Sequence, residues 1–151
     1  MDKISLYQLS SLDKVYLDSK FPQEEINGAS VLKNEKFSYQ IAYKCDETFA
    51  RHDMHIEVIS PLKQFVTVRL VGNVPSETPI RAESDSYYEK YAPGMFPDVL
   101  YPIENDTVEM LWSAWHSLWI TVELDGNVQK GTYPIEIKLT DEHIHISKIF
   151  Y

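Results

Sequence analysis

Hydrophobic and polar residues alternate one by one along several stretches of this chain. In KFSYQIAYK (36–44), Phe37, Tyr39, Ile41 and Tyr43 share one side, and Ser38, Gln40, Ala42 and Lys44 share the other. That period belongs to an extended strand with one buried face. HIEVIS (55–60) predicts a second strand, ended by Pro61, which has no N–H to give to a ladder. QFVTVRLV (64–71) predicts a third, with Gly72-Asn73 as a turn after it. LWITVEL (118–124) and TYPIEIKLT (132–140) flank DGNVQKG (125–131). They predict a hairpin with a loop longer than the tight type, in which Asp125-Gly126 and Gly131 supply positive-φ positions. Pro134 predicts either an edge position or a strand that begins there. HIHISKIF (143–150) predicts a last strand, and DKVYLD (13–18), ASVL (29–32), TPIRAE (78–83) and TVEML (107–111) are weaker strand signals.

Amphipathic helix periodicity is missing except in SDSYYEKYA (84–92), which would make a helical turn or two before Pro93-Gly94 stops it. The pattern as a whole implies an all-β protein. We expect an immunoglobulin-like or jelly-roll-type β-sandwich of about eight or nine antiparallel strands, forming a single domain over residues 1–151. Residues 83–106 read as one long Pro/aromatic-rich loop, with Pro93, Pro97 and Pro102 among Tyr87, Tyr88, Tyr91, Phe96 and Tyr101. Loops of that length inside a compact domain tend to carry function.

All three tryptophans fall in WSAWHSLWITVEL (112–124). Trp112, Trp115 and Trp119 have helix spacing, but the second half alternates like a strand. The reading adopted is a loop or bulge carrying Trp112 and Trp115 that feeds a central strand at Leu118. Leu118, Ile120, Val122 and Leu124 form its apolar face, which leaves Trp119 on the opposite face, either exposed or covered by something else.

Composition narrows the partners. The 151 residues carry 23 Asp+Glu against 14 Lys+Arg, a formal charge of −9. An acidic surface of this kind repels phosphate backbones and anionic membranes, so neither nucleic acid nor membrane is an expected partner. No signal peptide or membrane-spanning run is evident, and the compartment stays open. Cys45 is the single cysteine, so no internal disulfide can form; a small buried hydrophobe is its expected role.

PGMFPDVLYPIE (93–104) and WHSLWITVELDGNVQKGTYPIEIKL (115–139) resemble the N-terminal β-sandwich domain of glycoside hydrolase family 123, β-N-acetylgalactosaminidase-like enzymes, and related uncharacterised proteins. Pro97, Asp98, Leu100 and Pro102 match a proline-rich step of that family. Leu118, Trp119, Ile120, Thr121 and Val122 match a following strand, and Gly131, Thr132 and Tyr133 match a turn. Glu35, Ser38 and Gln40 match an upstream strand. Val99 and the LDGN segment (124–127) depart from the pattern. The resemblance implies a modular protein whose chemistry, cleavage of β-linked N-acetylgalactosamine assisted by an Asp-Glu pair, resides in a downstream (β/α)8 barrel. Such a barrel takes at least about 200 residues, so this chain is expected to lack it and to be non-catalytic by itself.

Other candidate chemistry is sparse. Asp46-Glu47 and Asp141-Glu142 have the letters of that Asp-Glu pair, but they read as solvated acids at strand ends. His143 and His145, with His52 and His55, would offer nitrogen ligands for zinc or copper, but spacing ties no third ligand to either pair. DGN (125–127) is explained by turn chemistry rather than calcium. No phosphate loop, nucleophile elbow, cofactor motif, metal set or catalytic residue is expected. The expected contact residues, toward a downstream domain or alternatively a carbohydrate, are Tyr91, Phe96, Pro97, Asp98 and Tyr101 from the long loop, with Trp112, Trp115 and Trp119 as stacking rings.

Overall fold

The computed structural model describes residues 4–20, 24–46, 51–78, 90 and 92–151. Among these residues nine strands run in the order β1 (Ile4–Ser10), β2 (Lys36–Cys45), β3 (Arg51–Ile59), β4 (Val66–Ser76), β5 (Gly94–Pro102), β6 (Thr107–Met110), β7 (His116–Glu123), β8 (Ile135–Thr140) and β9 (His145–Phe150). They form two antiparallel sheets, a five-stranded one ordered β1-β2-β7-β4-β5 and a four-stranded one ordered β6-β3-β8-β9. Among the described residues helix is limited to two short 3₁₀ turns, and no helix is long and apolar enough to cross a membrane.

The alternating segments fold as their period dictates. Tyr39, Ile41 and Tyr43 of β2 and Leu118, Ile120 and Val122 of β7 face Met54 and Ile56 of β3 and Ile135, Ile137 and Leu139 of β8. Strand β7 is central, paired to β2 through Ile120↔Tyr39 and to β4 through Ile120↔Val68. Aromatic stacking extends this core toward one end, where the Tyr39 and Phe150 rings lie 4.1 Å apart and nearly parallel. Cys45 is fully buried, as a small hydrophobe would be.

The far face of the five-stranded sheet is covered too. The segment after β1 crosses it, and Val15 packs with Leu9, Ala42 and Trp115 in a second, smaller core. Gln40 holds this strap: its Nε2 donates to the carbonyls of Ser10 (3.0 Å) and Asp13 (2.8 Å). Its Oε1 accepts from Ser117 Oγ at 3.1 Å.

Several local expectations are overturned. Part of the expected loop 83–106 is strand β5, paired with β4. Pro97 and Pro102 made it look like a loop, but among the described residues β5 is the edge strand of its sheet, a position where a missing N–H need not break a ladder bond. The helix-like stretch 84–92 and the strand signal 78–83 lie largely outside the described residues. Gly72-Asn73 is no turn: β4 runs through it, with a register irregularity against β5. A Cβ at Gly72 would run into the Tyr101 ring, so glycine serves there to let an aromatic lie on the sheet. The expected hairpin around DGNVQKG is a crossover between sheets, because both edges of β7 are taken by β2 and β4 while β8 pairs with β3 and β9. Neither Gly126 nor Gly131 has positive φ. Pro134 directly precedes β8, the second of its two expected placements. Segments 13–18 and 29–32 are not strands, whereas 107–110 is, and Ile4–Ser10 is a strand that the pattern did not single out.

Candidate interaction surfaces

Strand β5 holds Phe96, Pro97, Asp98 and Tyr101, four of the five contact residues expected on the long loop, at a sheet edge among the described residues. Tyr101 is 50% exposed, and Met95, Asp98 and Leu100 are exposed beside it. Phe96 and Pro97 are turned to other work. Pro97 is buried, and the Phe96 ring meets Tyr16 of the strap edge-on at 6.0 Å. Lys90 Nζ stands 4.9 Å from the Tyr16 ring and 3.5 Å from Asp18, closing this contact from outside. Tyr91 lies outside the described residues. The proline and the register irregularity protect β5 against adding a further strand, so a partner would meet side chains there, not a backbone ladder.

The three tryptophans have three different fates. Trp112 is 57% exposed next to exposed Leu111, on a loop held by an isolated bridge to Cys45 and by the Ser113 N–H donating to the Cys45 carbonyl (2.9 Å). Ser113 has φ 59, so the chain turns sharply just after the ring. Trp115 is buried, its ring 5.6 Å from the Tyr7 ring and capped by Lys44 Nζ at 5.3 Å, and its backbone N–H donates to the Leu17 carbonyl. Trp119 is half-buried on the strap-covered face, between its cross-strand partners Gln40 and Arg69. Only Trp112 presents a ring to a ligand outright.

The fold does bring together part of the histidine and acid set that the sequence left scattered. Asp53, His55, Thr140, Asp141, Glu142 and His143 line an open depression of about 610 Å³. Its chemistry is that of a turn: Asp141 Oδ1 accepts the N–H groups of both His143 and Ile144 at 2.7 Å. Among the described residues no three His, Cys, Asp or Glu are placed to hold a metal ion. His145 is in β9, opposite Thr140, whereas His143 precedes that strand. Asp46 is exposed and pairs with Lys44 at 2.7 Å; Glu47 lies outside the described residues.

His116, which the sequence did not single out, is a titratable group altered by its surroundings. It starts β7, 5.9 Å from the Tyr43 ring, and its Nε2 is buried without a hydrogen-bond partner. Burial lowers its pKa from the ordinary 6.5. Burial pushes the Tyr39 and Tyr43 hydroxyls well above the ordinary phenol value, so both stay neutral.

No protein-family model and no curated protein sequence matches the chain. Among solved structures, a family 123 glycoside hydrolase from Clostridium perfringens, analysed for the details of glycolipid glycan hydrolysis, aligns with 99% of this chain at a TM-score of 0.68. The fold is related to that of part of this hydrolase. Sequence identity is 13%, so the likeness is one of fold alone, and the chain spans 26% of the hydrolase's length.

Proposed function

We propose that this chain is a non-catalytic β-sandwich module of a glycoside-hydrolase-like protein, supporting a (β/α)8 domain that acts on β-linked N-acetylgalactosamine. The observation that carries the reading is the pair of coverages: nearly all of this chain aligns with about a quarter of a family 123 hydrolase. The depression that gathers acids and histidines fits the same reading, because its carboxylate at Asp141 is spent on backbone N–H groups. The edge of β5, with Met95, Asp98, Leu100 and Tyr101, is the surface we assign to the neighbouring domain.

Two measurements test this. The chain alone should not turn over a chromogenic β-N-acetylgalactosaminide, and steady turnover would overturn the non-catalytic assignment. In a chain that also carries the barrel, Leu100→Asp should lower the barrel's thermal midpoint while leaving the unfolding free energy of the isolated sandwich within about 0.5 kcal/mol, as surface changes do. An unchanged barrel would remove β5 as the docking edge.

Exposure of Trp112 favours a second reading, a carbohydrate-binding module. Tryptophan fluorescence titrated with N-acetylgalactosamine-containing glycans would shift in the native chain and not in Trp112→Ala. A flat response in both would end that reading.

A further inference from the structure

A cleft of about 810 Å³ opens between the sheets where β7 crosses over to β8, at the opposite end of β7 from Trp112. Its size falls in the range of small-ligand sites, roughly 300–1,000 Å³. The floor is apolar: Val122 and Ile135 with Phe37 and Phe150, whose stacked rings lie 5.7 Å apart.

The walls are fixed by hydrogen bonds of the chain itself. On one side the Ala29 N–H donates to the Tyr151 carbonyl (2.8 Å) and the Tyr151 N–H to the Asn27 carbonyl (2.9 Å). Gly28 is required at this contact, since a Cβ would collide with the Tyr151 carbonyl. On the other side Tyr133 Oη donates to the Gln129 carbonyl at 2.8 Å, bracing the crossover. The Leu124 N–H donates to the Glu35 carbonyl and ties the two walls' bases together.

The charge of the lining is the decisive feature. This is a strongly acidic chain, with 23 Asp+Glu against 14 Lys+Arg, yet the residues lining the cleft include Lys33 and Lys130 and not one Asp or Glu. Nearby carboxylates are engaged locally. Glu35 accepts the Leu32 N–H, Glu123 pairs with Lys36 at 3.0 Å, and Asp125 accepts the Asn127 N–H. Neither lysine is in a salt bridge among the described residues; Lys33 reaches only the Gly126 carbonyl, at 3.4 Å. An apolar trough with a cationic mouth on an anionic protein selects for one class of ligand. We propose that the cleft binds a small amphipathic anion, with a flat apolar body seated against the half-buried Phe37 and a carboxylate, sulfonate or phosphate group at Lys33 and Lys130. The site is independent of the domain-docking edge on β5, and its success or failure leaves that assignment untouched.

The test uses anilinonaphthalene sulfonate on the native chain, with binding located by amide chemical shifts. Expected are saturable binding of a single equivalent and shifts confined to residues 28–33 and 124–133 with the floor strands. The variant Lys33→Met with Lys130→Met keeps the aliphatic stems and removes the charge. It should weaken the sulfonate about tenfold, the scale of two partly exposed charge contacts. Neutral N-phenylnaphthylamine should bind native and variant alike. Absence of saturable binding, equal affinity of native chain and variant for the sulfonate, or shifts centred on Leu111 and Trp112 would each overturn the proposal.

Discussion

The central strand β7 is buried on both faces of its sheet, but the two faces are held by different physics. On the inner face of β7, Leu118 and Ile120 are fully buried among aliphatic and aromatic side chains of the opposing sheet. On the outer face, Ser117 and Thr121 are buried as well, and there hydrogen-bonded polar side chains lie beside the smaller apolar cluster of Leu9, Val15, Ala42 and Trp115. Thr121 Oγ1 meets Ser38 Oγ at 3.2 Å, and Ser117 and Gln40 form a chain of hydrogen bonds to the strap carbonyls. The inner face is stabilised by area removed from water, which is non-directional. The outer face depends in addition on satisfied donors and acceptors, for which loss of one partner leaves a buried group unpaired. Burial alone therefore says little about what a residue on this sheet contributes.

Substitutions that strike one face at a time sharpen the contrast. The largest effect should come from Leu118→Ala, which opens a cavity between the sheets and should cost about 3 kcal/mol in urea unfolding. A loss under about 1 kcal/mol would mean that the inner face collapses freely around the gap. Gln40→Leu should cost about 2 kcal/mol, because the replacement is apolar and takes away the side-chain partner of the Asp13 carbonyl and of the Ser117 hydroxyl, while the Ser10 carbonyl keeps the Asp13 N–H. Its signature is local: hydrogen exchange should quicken in residues 10–17 well before the β7 amides, and uniform quickening would contradict a strap held by polar bonds. Thr121→Val should cost under about 1 kcal/mol, and in a Ser38→Ala background the penalty should shrink, since the hydroxyls serve each other. Additive losses would show that the pair is incidental.

The smallest effect is one of pH. His116 lies on the same side of β7 as Leu118 and is kept neutral by burial, so its native pKa is below the ordinary 6.5 of the unfolded chain. As pH falls through that value the unfolded chain binds a proton that the native fold does not. Stability therefore drops on acidification until the native value is reached. Unfolding curves from about pH 8 to pH 5 should show this slope, and His116→Phe should flatten it. An unchanged slope in the variant would place the titration elsewhere.

The alternating code was legible wherever a strand has one uniform apolar face. β2, the first half of β4, β7 and β8 follow from it directly, and so does the sandwich class. β5 was hidden because prolines weigh against a central strand but not an edge, and position in the sheet is a non-local property. The break between β7 and β8 looked like a hairpin because a local sequence reports that the chain turns, not which sheet it enters next. Among the expected contact residues, Trp115, Phe96 and Pro97 failed as free surface for a related reason. An aromatic or proline in a loop-like stretch signals apolar contact, and the strap and sheet inside this chain already supply it.

The sequence by itself determined the period of the alternating strands, the apolar residues they give to the inner core and the acidic net charge, because those depend on composition and on neighbours one or two positions away. Tertiary structure alone decided the strand order, the polar network under the strap, the exposure of Trp112 rather than Trp115, and the lysine-rimmed cleft. Each of these joins residues far apart along the chain, and the free energy that pairs them exists only once both sheets are in place.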